Sequence, residues 1–167
     1  MIRGLVIRPA KAGDRSAIHA LVEAAFGQPA EAGLVEALVG EGSAVLELVA
    51  THEGELVGHI LFSRLVVEDG DRRFPAVALA PLAVQPKRHR TKIGTTLVDN
   101  AHALLEAAGE TLSVVLGEPA YYGRFGYSHD RAAGFDSDYQ CEALQALAWG
   151  DAPVSGRLAY ARAFAGL

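Results

Sequence analysis

The sequence predicts a mixed α/β (α+β) fold built around one sheet. Three observations predict it. Apolar residues recur at helical spacing in two early segments and one later segment, and as strand-like runs between them. Two turn signals, Glu53-Gly54 and Asp69-Gly70-Asp71, divide the middle of the chain into three consecutive runs, an antiparallel meander. A strand, a basic loop and a helix N-terminus then follow without a break from Leu82 to Leu97. With 167 residues, half of them apolar, the chain is long enough for one domain with its own core.

The elements follow in order. Leu5 to Arg8 is short and rich in β-branched residues, and Pro9 ends it, so it reads as an edge strand. Asp14 reads as an N-cap before Ile18, Leu21, Val22, Ala25 and Phe26, which share one helical face until Gly27. Glu31 to Val39 repeats the pattern and Gly40 closes it. Ala44 to Thr51, Glu55 to Glu68 and Phe74 to Val84 form the meander, with Pro81 inside the third run as the mark of a bulge or a pairing gap. After Pro86 comes the basic loop, then a helix from Ile93 to Ala108 with Leu97, Val98, Ala101, Leu104 and Leu105 on its apolar stripe. Thr111 to Leu116 is a short buried strand, and Pro119 to Phe125 a short helix with Pro at its first turn. Strands are expected near Tyr139–Leu144 and Gly156–Tyr160, with irregular chain from Trp149 to Pro153.

Composition removes several classes of function. Fifteen Lys+Arg against 20 Asp+Glu, a net charge of −5, argues against general nucleic-acid binding. One cysteine, Cys141, excludes an internal disulfide framework and a cysteine zinc cluster; it fits a reducing compartment and reads as a small core residue. The apolar run Ala76 to Val84 is too short to span a bilayer, and Met1 to Arg8 lacks the apolar stretch of a leader, so a cytoplasmic protein with no membrane partner is expected. No His, Asp and Glu set has metal-ligand spacing, so no metal is expected. The P-loop, the G-x-G-x-x-G fingerprint and the G-x-S-x-G elbow are all absent.

The chemistry concentrates between Leu82 and Leu97. Lys87, Arg88, His89, Arg90 and Lys92 fall within six positions of a chain that is negative overall. They precede a helix N-terminus, where unpaired amides and the positive dipole end attract anions. The arrangement suits a polyphosphate; a solvated basic surface loop is the other reading of the charge alone.

The run Leu82-Ala83-Val84-x-Pro86, then His89-Arg90-Thr91-Lys92-Ile93-Gly94, resembles motif A of the GNAT superfamily of N-acetyltransferases, usually Q/R-x-x-G-x-G/A. His89 stands at the Gln/Arg position, Lys92 at the first Gly and Gly94 at the second. Leu56 to Ser63 resembles the family's third strand. Leu116 to Tyr127 resembles its motif B, Y-x-x-x-G-F, with Tyr122 and Gly126-Tyr127 in place. The segments Pro119–Tyr127 and Ala80–Val84 resemble the YhbS-like branch. The resemblance covers most of the chain and is weakest after Tyr127.

That resemblance implies a single N-acetyltransferase domain over 1–167, with a mostly antiparallel central sheet, a splayed strand pair and flanking helices. Acetyl-CoA is the implied co-substrate. Its pantetheine arm would lie in the splay beside Leu82, Ala83 and Val84, and its pyrophosphate on His89, Arg90, Thr91, Lys92, Ile93, Gly94 and Thr95. Tyr122 is the implied general acid for the departing thiolate, with Tyr121 packing beside it. The acceptor would be a primary amine on a small molecule or a peptide, in a groove where Phe26, Gln28 and Glu31 are candidates.

Glu47 and His59 are candidates for a base facing that groove. His89 reads as a loop residue, while His19 and His102 read as solvated. Trp149 could line the acceptor site or a dimer contact, and a homodimer is compatible with the sequence. The alternatives are a non-catalytic acyl-CoA-binding or regulatory module on the same fold, and an interaction domain whose basic loop meets an acidic partner.

Overall fold

The computed structural model describes residues 3–166. Met1 and Ile2, which open the segment read for a leader, lie outside them, as does Leu167. Strand β1 (Leu5–Pro9) leads through a 3-10 turn into helices α1 (Arg15–Phe26) and α2 (Ala30–Gly40). The meander is β2 (Ala44–His52), β3 (Glu55–Asp69) and β4 (Arg72–Val84). Helix α3 (Ile93–Ala107) and strand β5 (Leu112–Leu116) follow. The remainder is α4 (Pro119–Tyr122), α5 (His129–Ala132), β6 (Phe135–Asp136), β7 (Leu144–Ala148) and β8 (Gly156–Ala159).

The sheet runs β1-β2-β3-β4-β5-β7, and β8 extends the far half of β3 with β6 beside it. Pairing is antiparallel except between β4 and β5 and between β6 and β8. Both faces are covered. Leu48, Ile60 and Phe62 pack under Ile93, Leu97 and Ala101 of α3. Their strand neighbours Val49 and Leu61 point the other way, onto Ile18, Val22 and Leu38 of α1 and α2. This is the alternation a pleated strand imposes.

Two irregularities open the sheet. Across β3 and β4, Ile60 faces Leu82 and Phe62 faces Leu79, so Leu61 alone opposes Ala80 and Pro81. Pro81 has no amide to donate, and the extra residue makes the expected bulge there. Strands β4 and β5 pair only from Val77/Ser113 to Leu79/Val115. Beyond that point β4 continues to Val84 while β5 ends, and a cleft lies between them.

The tail departs from expectation. Residues near Tyr139 form turns, not a strand. Ser137 Oγ accepts the Tyr139 amide at 3.1 Å, and the Ser137 and Cys141 carbonyls take the Gln140 and Leu144 amides. Such local Ser bonding competes with a ladder. The strand begins where that expectation ended, at Leu144, and pairs with β5. Cys141 is therefore exposed, not a core residue. Helix α5, capped by Ser128, and the short β6 were not anticipated. Asp14 does not cap α1. Its carboxylate takes the Lys11 amide (2.8 Å) and the Arg8 guanidinium, which holds it well below the usual carboxylate range. No helix among the described residues is long and apolar enough to cross a membrane.

Candidate active site

The loop after β4 is built by its own side chains. His89 Nε2 donates to the Val84 carbonyl (3.0 Å), and Thr91 Oγ1 donates to the Arg88 carbonyl (2.6 Å). Arg90 sits in the left-handed region at φ 69°, a conformation costing a non-glycine residue about 1 kcal/mol or more. Lys92, at the position of the motif's first glycine, has φ −91° and needs no glycine. Lys92 makes no side-chain cap on α3, and only the Ile93 amide is taken, by Thr91 Oγ1 at 3.5 Å, so the next amides, of Gly94 and Thr95, face the loop.

An open basin of about 780 Å³ covers this helix end. Leu82, Val84, His89, Arg90, Thr91, Lys92, Gly94 and Thr95 all line it. Ala83 and Ile93 do not: their side chains are buried in the two cores. Lys87 also leaves the cluster, its Nζ lying 3.7 Å from Glu55. A cation that sequence reasoning missed takes its place. Arg124 lines the basin, lies over the Tyr121 ring (4.7 Å) and donates to Thr95 Oγ1 (3.2 Å). A lone Arg in an otherwise aromatic segment was the available signal. A Cβ at Gly94 would stand 2.6 Å from the Tyr121 hydroxyl, so a side chain there displaces Tyr121.

Past Leu82 the cleft becomes a cavity of about 420 Å³ that reaches into the splay at Leu79 and Val115. Tyr122 lines it. Its ring packs against Gly117, where a Cβ would stand 2.5 Å from it, and stands edge-on to Tyr121 (5.0 Å) and Tyr127 (5.9 Å). Burial raises the Tyr122 phenol far above the usual tyrosine range, with Tyr121 adding to it. The hydroxyl therefore stays protonated through neutral pH as a hydrogen-bond donor. Phe26 and Glu31 of the expected acceptor groove line this cavity; Gln28 does not, but its amide donates to both Glu31 carboxylate oxygens at 3.0 Å.

Three candidates lie elsewhere. Glu47 and His59 line neither space. Fully buried His59 donates to Glu47 (2.8 Å), which is also bound by Arg15 beneath α1. Burial would raise the Glu47 carboxyl, but the bonds from His59 and Arg15 outweigh it and leave the group below its ordinary value. His102 is not solvated. It packs between Phe62, Phe125 and Trp149 and bonds the Tyr127 hydroxyl (3.0 Å). Burial lowers it to about 4, against a small opposing pull from Asp99. Trp149 is thus a packing residue on His102 and does not line the cavity. Among the described residues no group of three His, Cys, Asp or Glu is placed to hold a metal.

A splayed strand pair, a cation-rich basin on a helix end and a tyrosine in the cavity of the splay coincide with a sequence match. The model of the family described as "Acetyltransferase (GNAT) domain" matches residues 6–129. The chain belongs to this family. It is 37% identical over 139 residues to the uncharacterized N-acetyltransferase YhbS of Escherichia coli K12, covering 78% of this chain and 82% of that one. The crystal structure of E. coli YhbS in complex with CoA matches with a TM-score of 0.89 and 30% identity, covering 99% of this chain and 94% of that one. A GNAT family acetyltransferase from Brucella melitensis in complex with acetyl-CoA matches with a TM-score of 0.82 and 32% identity, covering 96% and 97%. The fold is therefore the GNAT fold, and these GNAT relatives bind CoA or acetyl-CoA.

Proposed function

We propose that this GNAT acetyltransferase, as a single domain over 1–167, moves an acetyl group from acetyl-CoA to a primary amine. The observation that carries the reading is a pair of spaces that share Leu82 as a wall. The cations and free amides of the α3 end line one, and Tyr122 lines the other, which reaches into the splay. Arg90, Lys92, Arg124 and the amides of Gly94 and Thr95 hold the pyrophosphate. Leu82, Val84 and the backbone of Ala83 flank the pantetheine arm.

The amine arrives as an ammonium and loses one proton. Its nitrogen attacks the thioester carbon, and a C–N bond forms as the C–S bond breaks. Tyr122, hydrogen-bonded to the departing sulfur, gives it the phenol proton. The second amine proton restores the phenol, so the net products are the acetamide, CoASH and one proton released to solvent. The cytoplasm is the proposed location, on the single exposed cysteine.

The test pairs calorimetry of acetyl-CoA binding with CoA release across an amine panel. Binding with amine-dependent release is expected. Binding without release from any amine would favour the non-catalytic acyl-CoA module. No binding at all would favour the interaction domain.

A further inference from the structure

We propose that the cavity takes a small primary amine carried on an apolar, ring-bearing body, and that Glu31 pairs with its ammonium group. This rests on the acetyltransferase reading and names the acceptor class. The far wall is aromatic. Tyr139 stands edge-on to Tyr160 with centroids 5.2 Å apart, and Tyr160 lies 5.4 Å from Phe164. Phe26 and Leu34 close the side formed by α1 and α2. Such walls exclude a strongly hydrated polycation and reward a ring through edge-to-face packing.

The charge in the cavity has one sign. Glu31 and, at the exposed rim, Glu118 are its only ionisable acids or bases besides tyrosines, and no Lys, Arg or His lines it. Glu31 is half-buried and held by Gln28 in the first turn of α2, where the helix dipole favours an anion. No ion pair among the described residues uses it. A fixed, partly desolvated carboxylate facing apolar walls leaves its charge to be met by a ligand cation. A space of about 420 Å³ fits a small molecule. After deprotonation the bound amine attacks the thioester as written above, forming C–N, breaking C–S and releasing one proton.

The test compares 2-phenylethylamine, 1,4-diaminobutane and a lysine-containing peptide as acceptors, and measures 2-phenylethylamine binding to the protein–CoA complex by calorimetry. The ring-bearing amine should lead the other two in kcat/KM by about tenfold or more. Glu31→Gln should raise its KM and dissociation constant about tenfold, with acetyl-CoA affinity unchanged. Tyr139→Ala should erode the preference for the ring. Equal or better use of the diamine or the peptide, or an unchanged KM in Glu31→Gln, would overturn the inference and leave acetyl transfer standing. Glu31-dependent binding of 2-phenylethylamine without acetyl transfer would uphold the site and overturn the enzymatic reading. Absence of binding would overturn the inference outright.

Discussion

On one side of Leu82 the cleft is an exposed basin of cations around free backbone amides. On the other it is a half-closed cavity with aromatic walls and a single sign of charge. The basin works through electrostatics that water and salt weaken. The cavity works through shape and desolvation, where one buried hydroxyl or carboxylate counts for more. A cofactor with a charged end and a reactive end needs both, in that order along the cleft.

The division breaks most visibly at its border. Tyr122→Phe keeps the ring on Gly117 and removes one hydroxyl. Turnover should fall roughly a hundredfold or more, in kcat and kcat/KM alike, while acetyl-CoA affinity holds. Because burial raises this phenol, the rate of the native protein should show no alkaline limb from it in the usual tyrosine range. Lost acetyl-CoA binding in Tyr122→Phe would move the residue to the basin's side of the comparison.

Reversing Arg90 and Lys92 to Glu should weaken acetyl-CoA binding by about tenfold or more, with a larger effect at low salt than at high. An effect that ignored salt would remove the electrostatic character assigned to the basin. Gly94→Val should weaken binding about tenfold at most salt concentrations, since it acts by bulk at the α3 end and displaces Tyr121. A folded Gly94→Val protein with native affinity would detach that helix end from the cofactor.

The smallest effect belongs to neither half. His102 titrates near 6.5 in the unfolded chain but near 4 in the fold. Between those values the unfolded state binds more protons, so stability falls as pH drops from about 6.5 towards 4, and none of this loss is present above 6.5. His102→Gln should flatten that part of the pH dependence, read from melting temperatures, without altering cofactor affinity.

The same division explains what was legible in the sequence. The basin comes from one contiguous stretch, so strand, loop cations and helix end could be read together. Arg124 reaches it from another segment and escaped. The cavity gathers residues from Phe26 to Phe164 through tertiary packing, and its tail wall follows a strand register that turn chemistry near Ser137 displaced. Glu47 and His59 line neither space although they stand on the face that α1 and α2 cover, as Val49 and Leu61 do, because Arg15 of α1 binds Glu47 there, a contact that strand alternation does not reveal. His102 sits one turn from Val98 and three residues before Leu105, beside the apolar stripe, and the width of that stripe was underestimated.

The bulge at Ala80 and Pro81 also sets the phase of β4. Before it, the odd positions Val77 and Leu79 point to α3; after it, the even positions Leu82 and Val84 do, and Ala83 turns to α1 and α2. The extra residue is a half-period slip that β3 does not share, since Ile60 and Phe62 keep one parity throughout. If the same residues ran through without the bulge, plain alternation would turn Pro81 and Ala83 towards α3 and the last even positions away from it. Leu82 and Val84 would leave the cleft together, and the basin and the cavity would lose the wall they have in common.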